Sequence, residues 1–178
     1  EYIPCFGLTG PHNGSDATGT IDEGTLVHRN GKRVMDIEID KRYITLSPVS
    51  NLIGLAFRLN DPDNLLETGN PGVTVALLEK GHLGLRQDTY HNPFNAGFPN
   101  GTLKGKFEIE LDDIIGGEEN AGEGWKMLME CLATGRAISL PSTANASSKT
   151  ATFGTYLYAK HRIQFKMPLI KMQAIQNK

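Results

Sequence analysis

Met35, Ile37 and Ile39 alternate with Asp36, Glu38 and Asp40. One face is apolar and the other charged, the period of a half-buried strand. Asn30-Gly31, just upstream, suits a type I′ hairpin turn. The runs RYITLS (42–47) and LIGLAFRL (52–59) follow, separated by Pro48 and Asn51. DPDN (61–64) and GNPG (69–72) carry turn chemistry, and VTVALLEK (73–80) is a further strand. In KFEIELDD (106–113), Phe107, Ile109 and Leu111 face one way and Lys106, Glu108 and Glu110 the other. Short strands with turn signals between them predict a sandwich or small barrel, and no segment repeats at a fixed period.

Near residue 116 the pattern changes. GGEENAGEGW (116–125) reads as a loop, and from Trp125 the spacing becomes helical, with Leu128, Met129 and Leu132 on the same face. The Ser/Thr/Ala-rich run 139–161 fits a flexible linker and a tightly packed helix equally well. PLIKMQAIQ (168–176) reads as helical, with Pro168 suited to a first turn.

Composition narrows the class. The 178 residues are 39% hydrophobic and 21% charged, with a net charge of −2. That is a globular balance with no electrostatic case for nucleic acid or an acidic membrane surface. Cys5 and Cys131 lie far apart and form no metal or redox spacing, which fits a reducing compartment. No run is long enough to cross a bilayer, and no leader peptide is visible. The chain starts at Glu1 and a periodic segment runs almost to Lys178, so both ends look cut.

Several short motifs lose to plainer readings. Gly122-Glu-Gly124 before Trp125 lacks the third glycine of a dinucleotide fingerprint and stands after a β-rich region. GTLKGK (101–106) is followed by Phe107, where a phosphate loop needs Ser or Thr. Gly14-Ser15-Asp16 lacks the spacing of a nucleophile elbow. Asp16, Asp22 and Glu23 do not match a calcium loop. The histidines at 12, 28, 82, 91 and 161 have no ligand spacing. Lys160, His161 and Arg162 fit a helix end, where positive charge is favourable. CFGLTGPHNGSDATG (5–19) is harder to set aside. Gly7, Gly10, Gly14 and Gly19 free the backbone, and Gly14 can take positive φ without steric cost. Successive N–H groups in such a turn form an anion-binding concavity, and Thr9 and Ser15 add hydroxyls.

This stretch resembles the acyl-CoA dehydrogenase signature L-T-E-P-x-x-G-S-D. Tyr43-Ile44-Thr45 resembles the family's aromatic-Ile-Thr triplet on a strand. GEGWKMLMECLATGR (122–136) is similar to its glycine-rich entry to a helix that ends in Arg, and Arg162-Ile163-Gln164-Phe165 to its R-x-x-F element. Order and spacing agree over nearly the whole chain, and the wording is nearest the large bacterial branch acting on fatty acyl-CoA. Two positions depart from the usual form: Gly10 stands where an acidic residue is usual, and Tyr43 where Trp is more frequent.

The resemblance implies a mainly β protein with C-terminal α structure. Residues 1–118 would be an antiparallel β-barrel or sandwich middle domain that binds flavin and substrate. Residues 119–178 would be the first helices of a truncated helical bundle, which makes 139–161 helical. The implied cofactor is FAD. Phe6, Leu8 and Thr9 would lie beside the flavin, and Gly14 and Ser15 at its phosphates. Tyr43 would stack near the isoalloxazine, with Ile44 beside it and Thr45 near N5. Arg162, Gln164 and Phe165 would reach the FAD of a neighbouring subunit. Ser15, Leu132 and Arg136 would face acyl-CoA. The implied reaction removes an α-proton from a fatty acyl-CoA while the β-hydride passes to flavin, giving the trans-2-enoyl-CoA. The family's carboxylate base matches no residue here, so the isolated chain is expected to be inactive. Implied partners are electron-transfer flavoprotein and further copies of the chain, without nucleic acid. The implied place is the bacterial cytoplasm, with association to the inner membrane face left open. Two alternatives remain: an acyl-CoA oxidase-type flavoenzyme, and a non-catalytic β module binding ligand through the same loop.

Overall fold

A computed structural model describes residues 1–19, 22–69, 71–87 and 90–177. Two compact units divide it, Glu1–Leu128 and Met129–Lys178. In the first, among the described residues, the strands are β1 (Pro4–Gly7), β2 (Glu23–Arg29), β3 (Lys32–Thr45), β4 (Leu52–Asn60), β5 (Gly72–Glu79), β6 (Leu85–Arg86) and β7 (Asn100–Glu110). They form one curled sheet, a half-barrel, in the order β1-β4-β2-β3-β7-β6, with β5 on the other edge of β4. The mainly β expectation holds.

The alternating runs become strands as their period requires. Met35, Ile37, Ile39, Phe107, Ile109 and Leu111 all enter the core, together with Leu26, Ile53, Leu55, Phe57 and Leu59. Asn30 and Gly31 both have positive φ, 50° and 81°, which closes the tight β2–β3 hairpin. The outward face of β2, β3 and β7 is self-paired. Arg29 bonds Asp36 and Glu108, Lys106 pairs Glu38, and Lys104 pairs Asp40. Exposed pairs like these contribute little, because water and salt screen them, so the core below them carries the fold.

Residues 35–40 and 42–47, two separate runs in the sequence, belong largely to one 14-residue strand, β3. Its register against β7 shifts between Lys41 and Ile44. Three steps on β3 there oppose two on β7, from Leu103 to Gly101. That single extra residue is a β-bulge, and it breaks the alternation a sequence pattern relies on. In GNPG, Asn70 lies outside the described residues; Gly72 opens β5 with φ 95°.

β1 and β2 lie end to end along one edge of β4. β1 pairs Leu52–Leu55 and β2 pairs Arg58–Asn60, both in parallel. The chain therefore leaves the sheet opposite Leu55 and rejoins it opposite Arg58. The described residues 8–19 between these two points are dense in turn formers, as a chain that leaves and rejoins the sheet within three residues of β4 requires. Gly7, at the end of β1, and Gly10 serve close approach rather than left-handed turns. A Cβ at Gly7 would lie 2.8 Å from Leu103 Cδ1, and one at Gly10 2.8 Å from Asn13 Oδ1. None of Gly7, Gly10, Gly14 and Gly19 has positive φ, which corrects the turn role expected for Gly14.

α1 (Gly124–Thr134) opens in the first unit, where Gly124 packs so closely that a Cβ would meet the Val73 carbonyl oxygen at 2.7 Å. In the second unit, α2 (Leu140–His161) follows a π-helical turn at Gly135–Ser139. Pro141 has no N–H to offer the preceding turn, a common cause of such a widening. The Ser/Thr-rich run is helix, not linker. Its hydroxyls turn inward on the helix: Thr143, Ser148 and Thr150 donate to the carbonyls of Ser139, Ala144 and Ala146. The short hairpin of β8 (Ile163–Gln164) and β9 (Met167–Pro168) follows. Residues 168–176 are not one helix: a 3₁₀ turn at Leu169–Lys171 and the short α3 (Gln173–Gln176) are split at Met172, whose ψ is 131°. No helix among the described residues is long and apolar enough to cross a membrane.

Candidate functional site

The bulge in β3 shapes the candidate site. By strict alternation Lys41 and Ile44 would point to opposite faces; with the extra residue both are buried, at 0% and 3% exposure. Arg42 and Tyr43 are turned outward instead. Tyr43 takes φ 62°, a conformation an aromatic residue rarely adopts, and its ring stays 48% exposed. Such strain persists only where neighbours hold it. Here the Arg42 guanidinium lies 5.0 Å from the ring centroid and the His91 ring meets it edge-on at 4.7 Å. His91 is itself fixed, its N–H donating to the Asn100 carbonyl at 2.6 Å.

The opening loop docks on this same strand end. The Arg42 N–H donates to the Thr9 carbonyl at 2.9 Å, and Lys41 Nζ donates to the Leu8 carbonyl at 3.0 Å. Thr9 therefore lies beside β3, the strand that also carries Tyr43, Ile44 and Thr45. The Thr9, Ser15 and Thr45 hydroxyls have no hydrogen-bond partner among the described residues and are accessible. Phe6 projects outward from β1 between buried Cys5 and Gly7. Ile44, expected beside the flavin, gives its side chain to the core, so only its backbone can face a ligand. Asp16 of the Gly-Ser-Asp triplet caps the turn that follows, accepting from the Gly19 N–H and the Thr18 hydroxyl. Gly14 has nothing within 4 Å of a would-be Cβ. No atom of this unit requires glycine there, which leaves room for a ligand to approach the backbone.

Behind this surface, Lys41 pairs with Asp22 at 2.6 Å, both out of solvent. Burial pushes the Lys41 ammonium below its usual pKa, against the opposing hydrogen bond and charge of Asp22. Sequence reasoning missed this pair. Its signal was present: Lys41 continues the core parity of Met35, Ile37 and Ile39. His91 and Asn13 were also missed. Asn13 is buried, accepts the Gly10 N–H on Oδ1 at 2.8 Å, and keeps Nδ2 unpartnered.

Cys5 lies next to Phe6 and accepts the Ser50 hydroxyl at 3.1 Å. Burial raises its thiol pKa above the ordinary 9.0, with the Ser50 hydrogen bond acting the other way. The folded chain then holds a proton that the unfolded chain has lost, so stability falls as pH rises past 9.0. Cys5→Ala is expected to flatten that alkaline decline in urea midpoints measured from pH 8 to 11. Exposed Cys131 should alkylate long before Cys5 in the native protein.

The remaining predicted residues belong to the second unit. Arg162 ends α2 in an extended conformation, its side chain exposed and without a partner among the described residues. Gln164 donates to the Ile163 carbonyl at 2.9 Å. Phe165 and Lys166 form the two-residue loop of the β8–β9 hairpin with φ 49° and 62°. That is type I′ geometry without the usual Asn-Gly, and it leaves Phe165 88% exposed. Leu132 lies on α1 and Arg136 on the π-helical turn, both exposed.

No family model matches the chain. "Protein HemX" of Proteus mirabilis is 44% identical over 102 residues, 56% of this chain and 60% of that protein. Its name assigns no activity. The short-chain-specific acyl-CoA dehydrogenase of Megasphaera elsdenii is 28% identical across 99% of this chain. An acyl-CoA dehydrogenase of Bacillus subtilis is 30% identical across all of it. The solved butyryl-CoA dehydrogenase of M. elsdenii superposes with a TM-score of 0.70 at 26% identity, covering 99% of this chain and 43% of that one. A glutaryl-CoA dehydrogenase from Mycobacterium smegmatis, solved in complex with FADH2, shares the fold at a TM-score of 0.74 and 19% identity, covering 99% of this chain and 41% of that one. The half-barrel fold and the curated dehydrogenase relatives that match over the whole chain support the acyl-CoA dehydrogenase family. It spans 43% and 44% of the length of the two dehydrogenase relatives.

Proposed function

We propose that the chain is part of an FAD-dependent fatty acyl-CoA dehydrogenase, and that residues 1–118, its middle β domain, supply one wall of the flavin site. Residues 119–178 are then the opening helices of the bundle domain. The single observation that carries this reading is the docking of Leu8 and Thr9 on the β3 bulge, beside an exposed, braced Tyr43. The residues fit the cofactor. Free hydroxyls at Thr9 and Thr45, open backbone at Gly14 and a fixed aromatic face are what a flat, hydrogen-bonding ring with an anionic tail requires.

Bound FAD would supply the hydride acceptor. Thr9 and Thr45 would hold its ring edge through their hydroxyls, on a backbone that is already fixed. Tyr43 would cover one ring face and exclude water. Gly14 and Ser15 offer donors to the pyrophosphate, while Arg162, Gln164 and Phe165 serve the FAD of a neighbouring copy. Leu132, Arg136 and Ser15 face the acyl-CoA substrate. The general base lies outside these residues, so this chain alone does not oxidise acyl-CoA, and electron-transfer flavoprotein is the expected acceptor of the complete enzyme. Titration of the 178-residue chain with FAD, followed by flavin fluorescence quenching, is expected to give weak, saturable binding that Thr45→Val weakens at least fivefold. Absence of quenching at millimolar FAD would remove the reading. Reduction of bound flavin by an acyl-CoA would place the base within the chain.

A further inference from the structure

We propose that the buried Lys41–Asp22 pair is a positioning device that holds the Leu8–Gly10 backbone against β3. The inference rests on the flavin reading above, for which that backbone forms the ligand-facing edge. Five bonds link the pair, β3 and this short stretch of chain. Lys41 Nζ bridges the Asp22 carboxylate at 2.6 Å and the Leu8 carbonyl at 3.0 Å. The other Asp22 oxygen accepts the Asp40 N–H at 2.7 Å, which ties the carboxylate to β3. Two residues further along the strand, the Arg42 N–H donates to the Thr9 carbonyl at 2.9 Å. Gly10 closes the set by bonding Asn13 Oδ1 at 2.8 Å.

The approach is tight: a Cβ on Gly10 would lie 3.1 Å from the Asp40 carbonyl oxygen. Leu8 and Thr9 thus spend their carbonyls on the scaffold, while the Thr9 hydroxyl stays free. A lysine that is 0% exposed cannot itself touch a ligand. Its ammonium is costly to bury, and an apolar pair of similar size would suit the core at least as well. What an apolar pair cannot do is donate to a loop carbonyl. The pair therefore serves the loop rather than the core, as a supporting shell must for a precise site.

The test is the double variant K41M/D22N in the 178-residue chain, which removes both charges and keeps their volumes. Amide exchange by NMR should accelerate at least tenfold at Gly10 and Arg42, with the β4–β5 amides unchanged. Asp22→Asn alone keeps the acceptor for Asp40 and should give a smaller rise at the same two residues. Unchanged exchange at Gly10 and Arg42, or acceleration in step with the β4–β5 amides, overturns the proposal. A second arm measures FAD affinity, expected to fall at least tenfold in the double variant. If the parent chain binds no FAD, the flavin reading fails while the exchange data still decide whether the pair positions the loop.

Discussion

Phe57→Ala is expected to lower the unfolding free energy by about 3–5 kcal/mol. Phe57 is 0% exposed in the middle of β4, in the cluster with Leu26, Ile37 and Leu59. Its ring occupies space that the opposing strand leaves open: a Cβ on Gly24 would lie 2.7 Å from Phe57 Cε2 and 2.6 Å from Ile37 Cδ1. With no side chain at position 24, the part of β2 nearest the ring has nothing to fill the hole, so much of the cavity contribution is kept. Small domains have about 5–15 kcal/mol in total, so the loss is a large share. Urea denaturation should show a lower midpoint with the same slope. Phe57→Ala combined with Gly24→Val should recover part of the loss. A cost under about 1 kcal/mol would contradict the packing described.

Asp22→Ala is expected to cost a similar amount, about 3–5 kcal/mol, for a different reason. It strands the Lys41 ammonium without its counter-charge and leaves the Asp40 N–H unpaired. The two variants separate by pH. Burial already lowers the Lys41 pKa, and losing Asp22 removes what opposes that shift. Between the lowered value and the ordinary 10.5, the unfolded chain binds a proton the folded chain lacks, so stability rises with pH across that window. Measured against the parent at each pH, the Asp22→Ala deficit should shrink toward pH 10, while that of Phe57→Ala should not. A pH-independent deficit would mean that Lys41 is neutral already.

Strands, the hairpin at Asn30-Gly31 and the change to helix near residue 124 were legible in the sequence because each follows a local period or a turn preference. The bulge was not. Nothing in Lys41-Arg42-Tyr43-Ile44 announces an extra residue, because the register that creates it is set against β7 far along the chain. The Ser/Thr-rich helix defeated periodicity since small residues carry little apolar contrast; the resemblance supplied it. The break at Met172 was invisible for the opposite reason, as the apolar spacing continues straight through it. At the candidate site, the sequence named the exposed donors, Thr9, Ser15 and Thr45. It missed Lys41 and Asp22, which support the Leu8 carbonyl beside Thr9, and His91, which braces Tyr43, because polar support looks like surface chemistry until its packing is seen. Ile44 shows the converse, named by its motif but committed to the core.

The central claim is that one strand end and the loop docked on it form a flavin-binding wall. Amide chemical-shift mapping of the 178-residue chain during an FAD titration tests it most directly. The account predicts perturbations that saturate together at Leu8, Thr9, Gly14, Ser15, Tyr43, Ile44 and Thr45, with the outer β2–β3–β7 ladder around Arg29 and Glu108 unmoved. Perturbations centred on that ladder, or none at all at millimolar FAD, would contradict it.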